Sequence, residues 1–190
     1  MTPAPRPDSL VVTRLDVLSD EERDEVLGLW CAVNDAGGAV GFLPGASRVE
    51  VAATLAVHEG EMAEGRQFAC LLRDDEGRIL GLGWWTRSRN PLVGHVRMGR
   101  RIMTDPTFRR RGLGLRLMEG MHRLAREDGG VVATLDYRSG TGVGAFYERC
   151  GYVEVGRIPR FIRVAPGDER DSVQLARSLD GQPLTADGRR

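Results

Sequence analysis

The segment of this chain best equipped for chemistry is Arg109-Arg110-Arg111-Gly112-Leu113-Gly114. Two glycines one residue apart let a backbone approach a ligand closely. Apolar residues then recur at 113, 117, 121 and 124, one face of an amphipathic helix over about 113–126. The glycines therefore sit at a helix start, where unpaired N–H groups and the positive end of the helix dipole attract anions. Between Arg97 and Arg116 there are seven arginines and one acid, Asp105, in a chain whose formal net charge is zero. A polyphosphate ligand fits that local excess. The spacing is not that of a P-loop, and the dinucleotide fingerprint fails because no third glycine follows Gly114.

The second segment is Ala145-Phe146-Tyr147-Glu148-Arg149-Cys150-Gly151-Tyr152. Tyr147 falls within a short helix over 142–150, where a tyrosine serves either packing or proton transfer. Asp136 ends the preceding apolar strand and is the leading candidate for a general base, with a strand-end capping role as its alternative. His95 and water remain as other bases. His58 and His122 fall on helices, where lone histidines are ordinarily structural. Cys150 lies at a helix end with no partner histidine in view, so it reads as structural.

Elements that would hold these groups follow from patterning. A valine- and leucine-rich strand over 10–17 precedes a helix capped by Ser19 and ended by Gly37-Gly38. Ser47 caps a second helix running to about Glu64. The loop 39–46 between them, with Gly41-Phe42-Leu43-Pro44, is placed to act as an acceptor lid. Strands at 67–72 and 78–86 form a hairpin around Asp74-Asp75-Glu76-Gly77. Further strands are expected at 94–103, 131–137, 152–156 and 172–179, the last after a long bent connection. Trp84 and Trp85 must face opposite sides of their strand, one into the core and the other toward a cleft. The order is strand, two helices, three strands, helix, strand, helix, two strands: a mixed α/β domain over 10–178, with loose tails at 1–9 and 179–190.

The whole-chain figures narrow the class. At 190 residues the length suits one domain with a core that needs no disulfides. Three scattered cysteines have neither metal-ligand nor disulfide spacing, which points to a reducing cytoplasm and no metal. No apolar run reaches transmembrane length, so no membrane partner is expected. All 27 basic residues are arginine. The neutral balance and the lack of aromatics among Arg109–Arg116 argue against nucleic acid.

Taken together, Asp105-Pro106, Arg109-x-x-Gly112-x-Gly114, Leu135-Asp136 and Ala145-Phe146-Tyr147 resemble the GNAT family of acetyl-CoA-dependent N-acetyltransferases. The resemblance follows element order over most of 10–178 and is specific in 98–156. It implies a single-domain, mostly antiparallel sheet flanked by helices, with acetyl-CoA as cosubstrate. It places the coenzyme pyrophosphate on Arg109, Gly112 and Gly114, with backbone N–H groups from Arg110 and Arg111 through Leu113 and Leu115. It assigns Ile102, Met103 and Thr104 to the pantetheine and thioester carbonyl, and Tyr147 to the general acid. Gly140 and Val143 stand where many members have asparagine and alanine. Gly37–Phe42, Leu135-Asp136 and Val155–Pro159 are similar to the tabtoxin-resistance type, which implies a small antibiotic- or amino-acid-like amine as acceptor. A homodimer is common among such proteins. The competing readings are a non-catalytic acyl-CoA sensor and an acetyltransferase of protein N-termini.

Overall fold

The computed structural model describes residues 9–184. The elements are β1 (Val11–Leu15), α1 (Asp20–Asp35), α2 (Arg48–Ala63), β2 (Gln67–Arg73), β3 (Ile79–Arg87), β4 (Val96–Thr104), α3 (Leu113–Glu127), β5 (Val132–Arg138), α4 (Gly144–Arg149), β6 (Val153–Ala165) and β7 (Asp168–Ser178). Their order is the expected one. Ser19 and Ser47 each close a capping box: the hydroxyl accepts from the N–H three residues on, and Glu22 or Glu50 reaches back to the cap's own N–H. Gly151, at φ +82°, takes the left-handed turn that ends α4.

The C-terminal strands differ from expectation. There is no long bent connection; β6 and β7 form one extended hairpin turning at Pro166-Gly167. Its charged residues obscured the strand pattern, and they are paired with one another. Arg160 and Arg163 both reach Glu169, and Arg157 reaches Asp171. Of the two expected tails, 1–8 and 185–190 lie outside the described residues. Leu179, assigned to the second tail, is buried and donates its N–H to the Val131 carbonyl.

Seven strands form one sheet in the order β1-β2-β3-β4-β5-β7-β6. Every neighbouring pair is antiparallel except β4–β5. One face packs on α3, with Trp85, Leu117, Met121 and Tyr152 in its core. The other packs on α1 and α2, around Trp30, Leu55, Leu82 and Trp84. The parallel pair is short. Val96–Met98 match Val132–Thr134, and the two strands then part. The gap they leave runs from the α3 face to the α1–α2 face. No helix among the described residues is long and apolar enough to cross a membrane.

His122 ties α3 to the far half-sheet. Its Nδ1 lies 3.0 Å from Arg177 Nη1 and its Nε2 3.0 Å from the Tyr152 hydroxyl. Arginine only donates, so Nδ1 must be the unprotonated acceptor. Burial, then the charge of Arg177, holds this imidazole down at about 3. The sign follows: an unfolded chain binds a proton near pH 6.5 that the folded chain refuses until about pH 3, so stability declines as pH falls below 6.5. At pH 5.5 the loss from this group is about 1.4 kcal/mol. Melting temperature measured from pH 7 to 5 should fall less steeply in His122→Gln than in the wild type. Equal slopes would show that His122 takes up its proton without cost.

Candidate functional site

A cavity of about 880 Å³ occupies the gap between β4 and β5 and opens toward the loop after α1. Met103, Thr104, Asp136, Tyr147 and Gly114 all line it. Residues from six of these elements and three connecting segments thus converge because two neighbouring strands diverge.

The α3 end supplies donors. Gly112 is the N-cap at φ +80° and brings no side-chain cap. The first N–H paired at this end is that of Arg116, which donates to the Gly112 carbonyl. Among the described residues no acceptor pairs with the N–H groups of Arg109 through Leu115. Arg110 and Arg111 are exposed, and neither has a hydrogen bond or ion pair among the described residues. A residue with φ +62° at Arg110 just before the N-cap shows how tightly this turn is wound. Gly114 is held by packing as well. A Cβ there would lie 3.0 Å from the Phe146 ring of α4.

Two of the expected ligand residues have side chains in or against the α3-side core. The Leu113 side chain is buried in the core, and Ile102 packs against the same α3-side cluster. Arg110, Arg111, Gly112, Leu113 and Leu115 do not line the cavity wall itself. Arg109 does, and its guanidinium donates to the Ala36 carbonyl at the end of α1, 2.9 Å away.

Tyr147 is half-buried on α4 between Tyr137 and Tyr152, with ring centroids 6.0 and 5.9 Å away. Its hydroxyl has no hydrogen-bond partner among the described residues. Burial, then the charges of Cys150 and Asp136, pushes this phenol well above the usual tyrosine range, so it stays protonated. Asp136 projects from β5 beside it. Its Oδ2 accepts from the Ser172 hydroxyl at 3.4 Å, and its Oδ1 lies 3.9 Å from Arg100.

Two expectations resolve differently, those for His95 and the tryptophan pair, while His58 and Cys150 are structural as read. His95 precedes β4 at the end remote from Thr104 and is absent from the cavity wall. Neither Trp84 nor Trp85 reaches the cavity; both are fully buried, one in each core layer. His58 stacks on Trp84 at 4.3 Å, with Nδ1 2.7 Å from Gln67 Oε1. Cys150 is buried, and burial raises its thiol, as expected of a structural cysteine.

Sequence reasoning passed over Arg100, Arg101, Arg138 and Arg163, which also line the cavity. The signal was available for the first two: consecutive arginines inside an otherwise apolar strand cannot both face water on a regular pleat.

Comparison with known proteins follows from this geometry. Residues 64–154 match a family model described as an acetyltransferase (GNAT) domain. The fold is shared with a provisionally named acetyltransferase from Salmonella typhimurium solved with its cofactor acetyl-CoA. That match has a TM-score of 0.70 at 14% identity over 95% of this chain and 99% of the other. A provisionally named phosphinothricin N-acetyltransferase matches with a TM-score of 0.72 at 15% identity, covering 90% and 99% of the two chains. The ribosomal-protein-S18-alanine N-acetyltransferase from Escherichia coli matches at 0.67 and 16% identity, over 92% and 98%.

Proposed function

On the premise that this chain carries a GNAT acetyltransferase domain on the GNAT fold, we propose that it transfers acetyl from acetyl-CoA to the primary amine of a small molecule. The observation that carries this reading is the parting of β4 and β5. One continuous cavity joins the uncapped start of α3, the Met103–Thr104 strand end, Asp136 and Tyr147. Free N–H groups and two unpaired arginines suit a diphosphate, and an open strand edge suits the amide-bearing arm that follows it.

The residues divide the chemistry as follows. An alkyl ammonium has an ordinary pKa of about 10.4, so it must lose a proton before it attacks. Asp136, which faces the cavity from β5, takes that proton directly or through water. Nitrogen then bonds to the thioester carbonyl carbon, and the developing oxyanion is met by strand N–H groups at Met103 or Thr104. The carbon–sulfur bond breaks, Tyr147 gives its proton to the departing thiolate, and the acylated nitrogen sheds its second proton through water, which reprotonates Tyr147. No covalent enzyme intermediate is needed. The phosphinothricin N-acetyltransferase neighbour supports an amino-acid-like acceptor, in line with the tabtoxin-resistance resemblance.

The test is release of free thiol from acetyl-CoA across a broad amine panel. Tyr147→Phe should lower kcat about 100-fold, with the melting shift caused by coenzyme A unchanged. Binding without turnover of any amine would favour the acyl-CoA sensor instead. No melting shift with either acetyl-CoA or coenzyme A would overturn the reading altogether.

A further inference from the structure

Arg101 is the extra residue of a β-bulge. Trp84 and Leu82 of β3 pair with Arg100 and Met103 of β4, so one residue on β3 opposes two on β4. Arg101 takes φ +49°, a conformation that costs a non-glycine residue energy and is retained where it aims a side chain. Its aim is clear from the alternation. Gly99 lies against Trp85 on the α3 face, and a regular pleat would send residue 101 the same way. The bulge turns Arg101 to the opposite face, where its guanidinium carbon lies 6.0 Å from the centre of the Trp30 ring. The backbone of Gly41 lies directly on the guanidinium, and any Cβ at Gly41 would overlap it.

Having been brought there, the cation has the Trp30 ring beside it but no hydrogen-bond or ion-pair partner among the described residues. Its Nε is fully buried with no hydrogen bond, and no carboxylate among the described residues forms an ion pair with it. Asp136, the one acid on the cavity wall, is already engaged by Arg100 and Ser172. His58, close enough to feel the charge of Arg101, is held neutral by burial first of all. Burial likewise lowers Arg101 itself below the usual arginine range. An unpaired guanidinium in such a place is destabilising unless an anion comes to it. Its planar fork fits a carboxylate or a phosphorus oxyanion through two parallel hydrogen bonds.

We propose that Arg101 is a specificity residue that receives an oxyanion of the acceptor, so that the acceptor is an amino acid in the broad sense: an amine and a carboxylate, phosphonate or phosphinate on one small molecule. This rests on the transferase reading above and narrows it. The bulge sets the anion on the side of the gap that faces the 37–43 loop, away from the start of α3. The amine is thereby left to reach toward Asp136.

The experiment pairs acids with their neutral counterparts. Thiol release is measured for the common α-amino acids and aminomethylphosphonate, each beside its carboxamide or ester, in wild type, Arg101→Met and Arg101→Lys. Melting shifts with the same compounds provide a binding readout that does not depend on turnover. The expected result is preference for the acids, about a 100-fold loss of kcat/KM for them in Arg101→Met, and partial recovery in Arg101→Lys. The KM for acetyl-CoA should not move, and the ligand-free Arg101→Met protein should melt no lower than wild type. Turnover of amides or esters as good as that of the acids overturns the inference and leaves the transferase reading standing. If no amine is turned over, acids that stabilise wild type but not Arg101→Met support the site while the transferase reading fails. Acids that are neither turned over nor stabilising overturn it.

Discussion

Gly114→Val should abolish the thermal shift that coenzyme A gives the wild type. At a ligand concentration 100 times Kd, binding contributes about 2.7 kcal/mol to stability. For a chain of this size that is a melting shift of roughly 8 °C. A 100-fold weaker complex would leave about 0.4 kcal/mol, or roughly 1 °C. The physical reason lies in two contacts of one residue. Gly114 borders the cavity in the first turn of α3, beside the unpaired N–H groups. A Cβ there already presses on Phe146 at 3.0 and 3.2 Å, and the valine methyl groups add bulk over the donors. Phe146 adjoins Tyr147, with ring centroids 5.1 Å apart, so the same substitution displaces the proposed acid. A variant that keeps the full shift would place the diphosphate elsewhere.

The second large effect concerns stability. Asp128, just beyond α3, accepts from Arg14 at 2.8 Å and from Arg97 Nε at 2.6 Å, and also from Arg87. Those arginines come from β1, β4 and β3, so a single carboxylate fastens three strands to the end of the helix. Its side chain is only 8% exposed, and that of Arg97 5%. Burial alone would raise the carboxyl, but the hydrogen bonds from Arg87 and Arg97 outweigh it, and the group lies below the usual aspartate range. Removing one partner of a buried ion pair leaves an uncompensated charge and costs about 3–5 kcal/mol. Asp128→Ala should therefore melt roughly 10 °C lower. Asp16→Ala, which removes an exposed partner of Arg14, should change stability by less than about 1 kcal/mol. Similar losses in the two variants would contradict this account.

Much of this was legible in the residues, for local reasons. Ser19 with Glu22 and Ser47 with Glu50 announce helix starts because each cap is satisfied within four residues. Gly112 and Gly151 announce a turn and a stop because their backbones need positive φ. Tyr147 and Asp136 do share a cavity wall. What could not be read depends on partners distant in the chain. The β6–β7 hairpin hid behind arginines whose acids lie across the turn. The aim of Arg101 depends on a mismatch with β3, which no spacing within β4 records. His95 looked near the site because it begins the strand whose far end carries it.

The parted strands have one more consequence. The portion of the sheet from β1 to β4 meets the portion from β5 to β6 along only three register pairs. Beyond those pairs, the facing edges of both strands present main-chain groups to whatever enters. On the proposed reading, an extended substrate arm rich in amides serves as the absent rung between them, and the two panels become one girder while it is in place. Loading the enzyme would then stiffen it, and letting the spent carrier go would be the moment the panels are free to hinge. Slow exchange of those amides of Gly99–Thr104 and Leu135–Arg138 that point into the gap, rather than toward β3 or β7, belongs on this view to the loaded state alone.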